Sequence, residues 1–164
     1  AAECWRIIFG FEAKISMLPL VKKMGSKAII NVVSGFIDEG NNPKIEDYFD
    51  ALAKRNKIIR MWNEFMEKYP VIISPISASL PYQQNEDQKS KKRLSEIIQE
   101  QSPLYVVNLL GLPSIAVPTE VINDTPVGIQ IITSLFQENL AIKMGKIVEK
   151  NVGTFYKQLW KKYK

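Results

Sequence analysis

The sequence contains no histidine and a single cysteine, Cys4, and these shortages exclude several kinds of active site. A Ser-His-Asp triad or a Cys-His pair needs an imidazole to accept the proton of the nucleophile. A zinc site built from histidines or from a set of cysteines is excluded as well. A catalyst in this chain must therefore use Ser, Thr, Lys, Tyr or a carboxylate, or else it lies outside the chain.

Glycine is sparse, and no two glycines are adjacent. The spacings of phosphate-binding loops, dinucleotide-binding turns and nucleophile elbows do not occur. No serine is followed by a lysine three residues later, so the pattern of penicillin-binding proteins is missing too. These absences leave no nucleotide-binding motif and no serine-hydrolase motif of those classes.

Long apolar runs are also missing. Within the longest uncharged run, residues 102–119 are interrupted by three prolines and a glycine, which predicts no membrane span. Glu3 and Arg6 interrupt the first apolar stretch, so no signal peptide is predicted. The lone cysteine cannot form a disulfide within the chain, which is compatible with a reducing, cytoplasmic location.

The composition of the 164 residues, 46% apolar and 24% charged, is typical of one folded domain. The chain opens without methionine, and Ala1-Ala2-Glu3-Cys4-Trp5 has the character of a helix interior. We therefore expect it to be a piece of a longer protein.

Positive charge is concentrated at the C-terminal end, where residues 143–164 carry seven Lys and one Glu. Such a tail can attract nucleic acid or anionic lipid. Its lysines alternate with Phe155, Leu159, Trp160 and Tyr163, which is typical of a helix with one docked and one solvated face. We favour a basic C-terminal helix over 151–164, with no membrane partner and no nucleic-acid partner.

Hydrophobic periodicity predicts mainly helices with a few strands. A helix is predicted over 2–15 and is interrupted at Ser16 to Pro19, after which a short helix runs to about residue 24. Further helices are predicted over 27–38, 44–69, 93–101, 104–110 and 137–150. Strands are predicted over 71–74, 114–117 and 127–132. The last two strands are predicted to form a hairpin with Asn123-Asp124 as its turn. Pro75 is predicted to end the first strand, and Pro118 to end the second. The class is α/β, and because three short strands are marginal alone, they belong to a larger sheet.

The long helix 44–69 carries apolar residues in steps of three and four, which predicts one stripe facing a core. The strand 71–74 is predicted to be buried. Ser102 is predicted to cap the helix that Gly111 ends. Three polar residues beside the apolar segments, Asn108, Glu120 and Gln130, have an ordinary explanation as groups that cap helix ends or satisfy loop backbone.

Two segments carry a resemblance to a known family. Asn108-Leu109-Leu110-Gly111-Leu112-Pro113 to Pro118, then Thr125-Pro126-Val127-Gly128-Ile129-Gln130 and Phe136-Gln137-Glu138, resembles the C-terminal half of the amidase signature family. Upstream, Trp62 to Pro75 resembles the helix, apolar strand and proline of that family. The match covers about 55–150, and 1–54 fits the variable helical region. The whole of 1–164 is thus expected to be the C-terminal portion of a single amidase signature domain.

The resemblance implies an α/β fold with helices around a large mixed sheet, and hydrolysis of carboxylic amide C–N bonds. Such enzymes use a serine nucleophile, a second serine in a cis peptide and a lysine base, all in a Gly- and Ser-rich segment upstream of the matched region. That segment is not found here, so no catalytic residue and no cofactor is assigned. The implied partners are the N-terminal half of the same fold and a small amide substrate, and a homo-oligomer is left open. Without that half, apolar edges should be exposed.

The resemblance also implies substrate-pocket residues, for which Gln101, Tyr105 and Asn108 are the candidates. In amidotransferase members an acidic residue seven positions before the Asn contacts the substrate amine, and here that position is Gln101. This departure speaks against amide transfer from glutamine. A helix end packing on the sheet is the alternative role of Asn108.

Two other functions remain open at this point. One is a degenerate amidase-like scaffold that binds a partner without chemistry, and the other is a nucleic-acid module that uses the basic tail.

Overall fold

The computed structural model describes residues 1–155 and Trp160. The helices are α1 (Ala2–Glu12), α2 (Leu18–Met24), α3 (Lys27–Glu39), α4 (Ile45–Lys68), α5 (Lys91–Glu100), α6 (Ser102–Leu110) and α7 (Glu138–Val152). The strands are β1 (Val71–Pro75), β2 (Ser114–Ile122) and β3 (Thr125–Thr133). The predicted α/β class is confirmed. Of the predicted basic helix 151–164, residues 151–152 complete α7 and 153–155 are not helical; the rest, apart from Trp160, lies outside the described residues.

The predicted interruption at Ser16 to Pro19 is wrong, because α1 continues into α2 through a π-helical turn, Ala13–Met17. In this turn the Leu18 N–H donates to the Ala13 carbonyl five residues back. Pro19 follows directly and, because proline has no N–H, it donates no hydrogen bond within this continuous helical segment. Ala13 is buried with α3, and Leu18 packs against the same cluster.

The long helix α4 begins where the Lys44 N–H donates to Asp47 Oδ2 at 2.8 Å. Only part of its apolar stripe faces a core. Ala51 and Met66 are buried, whereas Phe49 is 62% exposed and Phe65 is 49% exposed. The prediction of one stripe facing a core is therefore wrong for Phe49 and Phe65.

The sheet is antiparallel with the order β1-β3-β2. The predicted hairpin between β2 and β3 is confirmed, and its turn residues Asn123 and Asp124 both have left-handed φ angles, of 47° and 63°. Two such residues in succession are typical of the tight turn whose twist matches that of the flanking strands. The hairpin thus follows directly from the local sequence.

Two strand predictions need correction. Strand β2 does not end at Pro118 but runs on to Ile122 past a bulge: Pro118 pairs with Gly128 and Glu120 pairs with Val127. Proline is compatible with a strand at a bulge, where ladder hydrogen bonds are interrupted. Strand β1 is at the edge of the sheet and is not buried, since Ile73 is 57% exposed.

The helix ends around α5 and α6 are partly as predicted. Gly111 ends α6 in a left-handed conformation, with φ 68° and ψ 29°. Ser102 is not the cap, because α6 begins with it and Gln101 precedes the helix. The serine that caps a helix here is Ser90, whose Oγ accepts from the Arg93 N–H at the start of α5.

Apolar residues form cores on both faces of the sheet. On one face, Ile132 of β3 packs with Met66, Val107 and Leu110 from α4 and α6. On the other face, α7 lies so close to β2 that a Cβ on Gly145 would lie 3.2 Å from Ile115 Cδ1. Away from the sheet, four aromatic rings join α1, α3 and α6: Trp5, Phe9, Phe36 and Tyr105. These contacts fix α6 between the helices and the sheet.

Candidate functional site

An open cleft of about 550 Å³ lies where three segments meet. Its walls are the loop that follows β1, the junction between α5 and α6, and the beginning of β3. Most of the lining side chains are apolar: Ile76, Ala78, Leu80, Pro81, Tyr82, Pro126 and Val127, with Ser77, Ser79, Gln101 and the backbone of Gly128 as the polar part. A mainly apolar cleft with a few polar groups is the usual setting of a small-molecule site. We call it the Gln101 cleft.

Gln101 is the only one of the three predicted site residues among those that line this cleft. It lies between α5 and α6, and its Oε1 accepts a hydrogen bond from the Tyr105 hydroxyl at 3.3 Å. That bond uses the amide oxygen and leaves the two N–H donors of Nε2 for other partners. An amide held in this way is suited to donate to a carbonyl oxygen.

Tyr105 does not line the cleft but supports it from the core. The residue is 5% exposed, and its ring stacks on Trp5 with 3.9 Å between centroids and 2° between planes. Burial raises the pKa of Tyr105 to about 12, so the hydroxyl stays protonated near neutral pH. It can therefore orient Gln101 as a donor, but it is unsuited to accept a proton.

Asn108 lies in a different place. It is exposed and lines a smaller cleft of about 290 Å³ between α1, α4 and the end of α6, with Trp5, Glu12 and Arg55 among its neighbours. Arg55 donates through Nε to the Leu109 carbonyl at the end of α6. Gln101 and Asn108 thus line two separate clefts, and a role of Asn108 in substrate binding stays a prediction.

The sequence does not single out the residues that hold the loop wall of the Gln101 cleft. Glu100, the last residue of α5, accepts the Ser79 hydroxyl at 2.8 Å on Oε2 and Arg93 Nη1 at 3.1 Å on Oε1. The hydrogen bond from Ser79, and then that from Arg93, hold the pKa of Glu100 below its usual value. In the sequence the run 89–93 is typical of an exposed basic cluster, and only the fold shows that Arg93 turns toward the loop.

The serines of the cleft are poorly suited to act as nucleophiles. Ser77 donates to the Glu100 carbonyl and Ser79 donates to the Glu100 carboxylate. A carboxylate with a lowered pKa is a weak base, so it does not activate a hydroxyl. Within the part of the chain that the structure describes, no group of His, Cys, Asp and Glu is placed to hold a metal ion.

Gln130 and Glu120 have different environments. Gln130 is buried in the middle of β3 and donates through Nε2 to the Pro75 carbonyl at 3.1 Å, which ties β3 to the point where the cleft loop begins. Its amide therefore satisfies the carbonyl of the last residue of β1. Glu120 is exposed on β2 beside the bulge.

None of the helices among residues 1–155 is both long and apolar enough to cross a membrane.

Comparison with known proteins places these features in a family. The Amidase family matches residues 11–142, which includes most of the segment 1–54 as well as the motif around Gly111. Indoleacetamide hydrolase of Bradyrhizobium diazoefficiens is 28% identical over 159 residues, covering 96% of this chain and 30% of that protein. A glutamyl-tRNA(Gln) amidotransferase subunit of Brevibacillus brevis is 30% identical over 149 residues, covering 86% of this chain and 29% of that protein.

A solved structure has the same fold. The crystal structure of an amidase superposes with a TM-score of 0.64 and 19% identity, covering 91% of this chain and 34% of the other. The chain thus spans about a third of the length of the proteins it matches. With a family match over 11–142 and this shared fold, the chain belongs to the Amidase family.

Proposed function

We propose that the protein containing this chain hydrolyses carboxylic amides, and that this chain supplies one wall of the substrate pocket. The match to the Amidase family carries the proposal. The serine nucleophile, the cis serine and the lysine base of the mechanism are assigned to sequence outside this chain. The lysine must be neutral to accept the serine proton, which burial between the two parts of the fold can arrange.

We further propose that the acyl part of the substrate is uncharged and apolar. The Gln101 cleft is lined by Leu80, Tyr82 and Val127, which can pack against an aromatic or branched group. Gln101 offers amide N–H donors and no negative charge, so it does not compensate a substrate ammonium group. The similarity to an indoleacetamide hydrolase supports an aromatic amide of this kind.

The proposed partner of this chain is the N-terminal half of the same fold. The exposed edge strand β1 with Ile73, and the exposed aromatic residues Phe49 and Phe65 of α4, support this pairing. The buried thiol of Cys4, which donates to the Ala51 carbonyl, is compatible with a cytoplasmic location. A homo-oligomer stays a prediction.

The test is an amidase assay of the full-length protein with indole-3-acetamide, acetamide and glutamine. We expect kcat/KM to be highest for indole-3-acetamide and at least about tenfold lower for glutamine, because an uncompensated ammonium group is costly to desolvate. Gln101→Glu, which adds a carboxylate of the same length, should narrow this preference. A wild-type preference for glutamine would contradict the proposed substrate class. If the folded protein hydrolysed none of the three amides, the proposed amidase activity itself would be contradicted.

A non-catalytic scaffold is the alternative function. The Gln101 cleft is compatible with it, since the side chains that line this cleft are suited to bind rather than to react. The residues of the full-length protein upstream of Ala1 discriminate between the two, because a scaffold can lack the catalytic lysine or either serine.

A further inference from the structure

The loop wall of the Gln101 cleft is fastened to α5 at its first part. Three consecutive loop residues make hydrogen bonds to one residue, Glu100: the Ala78 N–H donates to its carbonyl at 2.7 Å, the Ser77 hydroxyl to the same carbonyl at 3.2 Å, and the Ser79 hydroxyl to its carboxylate at 2.8 Å. This part of the wall therefore depends on where the end of α5 and its carboxylate lie.

The far part of the loop is fastened by a second carboxylate. The Gln83 N–H donates to Glu86 Oε2 at 2.8 Å. That backbone hydrogen bond, together with Arg93, holds the pKa of Glu86 below its usual value. Between the two fastened parts lie Leu80, Pro81 and Tyr82, whose side chains line the cleft.

Arg93 joins the two carboxylates, and its Nη1 also donates to Glu96 Oε2 on its own helix at 3.3 Å. Its Nε donates to Glu86 Oε1 at 3.0 Å, and its Nη1 donates to Glu100 Oε1 at 3.1 Å. The Arg93 side chain is 25% exposed, and those of Glu86 and Glu100 are 18% and 27% exposed. A planar guanidinium presents several donors in a fixed arrangement, so it can bridge two acceptors where an ammonium group acts as one point of charge.

We propose that Arg93 is a positioning residue for substrate selection: by bridging Glu86 and Glu100 it sets the position of residues 80–82, and thereby the fit of bulky acyl groups in the Gln101 cleft. The proposal rests on the proposed function of this cleft. Arg93 touches neither substrate nor reacting atoms, so its effect is expected in KM for large substrates and not in the chemical step.

The test compares Arg93→Met with Lys92→Met in the full-length protein. Lys92 is the matched control because it is the neighbouring cation on the same helix, and its side chain is 88% exposed in a pair with Glu96 at 3.9 Å. We expect Arg93→Met to raise KM for indole-3-acetamide by about tenfold, the scale of one lost charge-assisted hydrogen bond. The kcat for acetamide should stay within a factor of about two, as for an ordinary surface substitution.

Arg93→Lys should raise KM less than Arg93→Met does, but KM should stay above the wild-type value, since a lysine restores the charge without bridging Glu86 and Glu100. Ser79→Ala is a milder variant that releases the loop at one point and keeps Arg93. It should shift KM in the same direction by a smaller factor, which keeps the proposal testable if Arg93→Met fails to fold. Equal losses for indole-3-acetamide and acetamide, or full recovery by lysine, would overturn the proposal.

Hydrogen exchange of the loop amides separates this proposal from the proposed function. In Arg93→Met the N–H groups of Ala78 and Gln83 should exchange faster than in Lys92→Met, whatever the activity. If the wild type hydrolyses no amide, the proposed function fails, and the positioning role is then judged by the affinity for indole-3-acetamide and by this exchange. Unchanged exchange at both amides would refute it.

Discussion

The aromatic cluster of Trp5, Phe9, Phe36 and Tyr105 and the edge of the sheet differ in how completely their side chains are covered. Around α1, Trp5 stacks between Phe9 and Tyr105 at centroid distances of 4.7 and 3.9 Å, and Cys4 is 1% exposed. Around the sheet, Ile73 of β1 and Ile147 of α7 are 57% and 46% exposed. The aromatic cluster thus finds its packing partners within this chain, while the edge of the sheet and α7 leave apolar side chains uncovered.

This difference shows which part of the chain is expected to depend on the rest of the fold. An edge strand with exposed apolar side chains is a template for pairing with another strand. Helix α7 packs on β2 and β3, and β1 is the edge strand of the same sheet on the β3 side. Changes in the covered region should therefore act within this chain, and changes at the edge should act through a partner.

The largest effect is expected in the aromatic cluster. Tyr105→Ala removes the ring that stacks on Trp5, and large-to-small changes of a buried aromatic cost about 3–5 kcal/mol in the free energy of unfolding. Urea denaturation of the full-length protein, followed by tryptophan fluorescence, measures this. Tyr105→Phe is the control, because it keeps the ring and loses only the hydrogen bond to Gln101, at about 1 kcal/mol. Equal costs for both variants would contradict the stacking argument.

An intermediate effect is expected inside the sheet at Gly128. A Cβ there would lie 2.5 Å from the Val117 carbonyl oxygen, which belongs to the backbone of β2 and cannot rotate away. Gly128→Ala should therefore push β2 and β3 apart at the bulge, at about 1–3 kcal/mol. In the control, Gly145→Ala, the new Cβ meets only side-chain atoms at 3.2 Å or more, so the loss should be smaller. If thermal denaturation showed a larger loss of stability for Gly145→Ala than for Gly128→Ala, the backbone at the bulge would have moved to make room for the new Cβ of Gly128→Ala.

The smallest effect is expected at the edge of the sheet. Ile73→Thr keeps a β-branched residue at an exposed position, so in the 164-residue chain it should change the free energy of unfolding by less than about 0.5 kcal/mol and slow aggregation. In the full-length protein the same change should cost clearly more if Ile73 is covered there. Light scattering measures the aggregation, and urea denaturation measures the stability, of the 164-residue chain and of the full-length protein. Equally small effects in the two would contradict the expectation that Ile73 is covered in the full-length protein.

The elements that the sequence predicts best are those whose signals are local. Gly111 ends α6, and Asn123-Asp124 turns the hairpin, because each position needs a left-handed backbone that those residue types adopt readily. Pro118 is misleading as a strand end, since its lack of an N–H matters only where a ladder bond is due, and the bulge removes that need.

The site is harder to predict than the fold. Gln101 and Asn108 are predicted together through the resemblance to the amidase signature family, yet they line different clefts, one before the start of α6 and the other near its end. The role of Glu100 escapes prediction because its partner, Ser79, lies 21 residues earlier in the chain. Such long-range hydrogen bonds leave no periodic signal in the sequence.

The π-helical turn at Ala13–Met17 has a consequence for how the first two helices share one core. An α-helix repeats its faces at steps of three and four, but Ala13 and Leu18, five residues apart, both pack on the cluster with Val33 and Ile37. The wider turn takes up one extra residue and restores the phase, so the apolar stripe of α1 continues along α2. The helices α1 and α2 and the π-helical turn between them therefore form one continuous amphipathic segment.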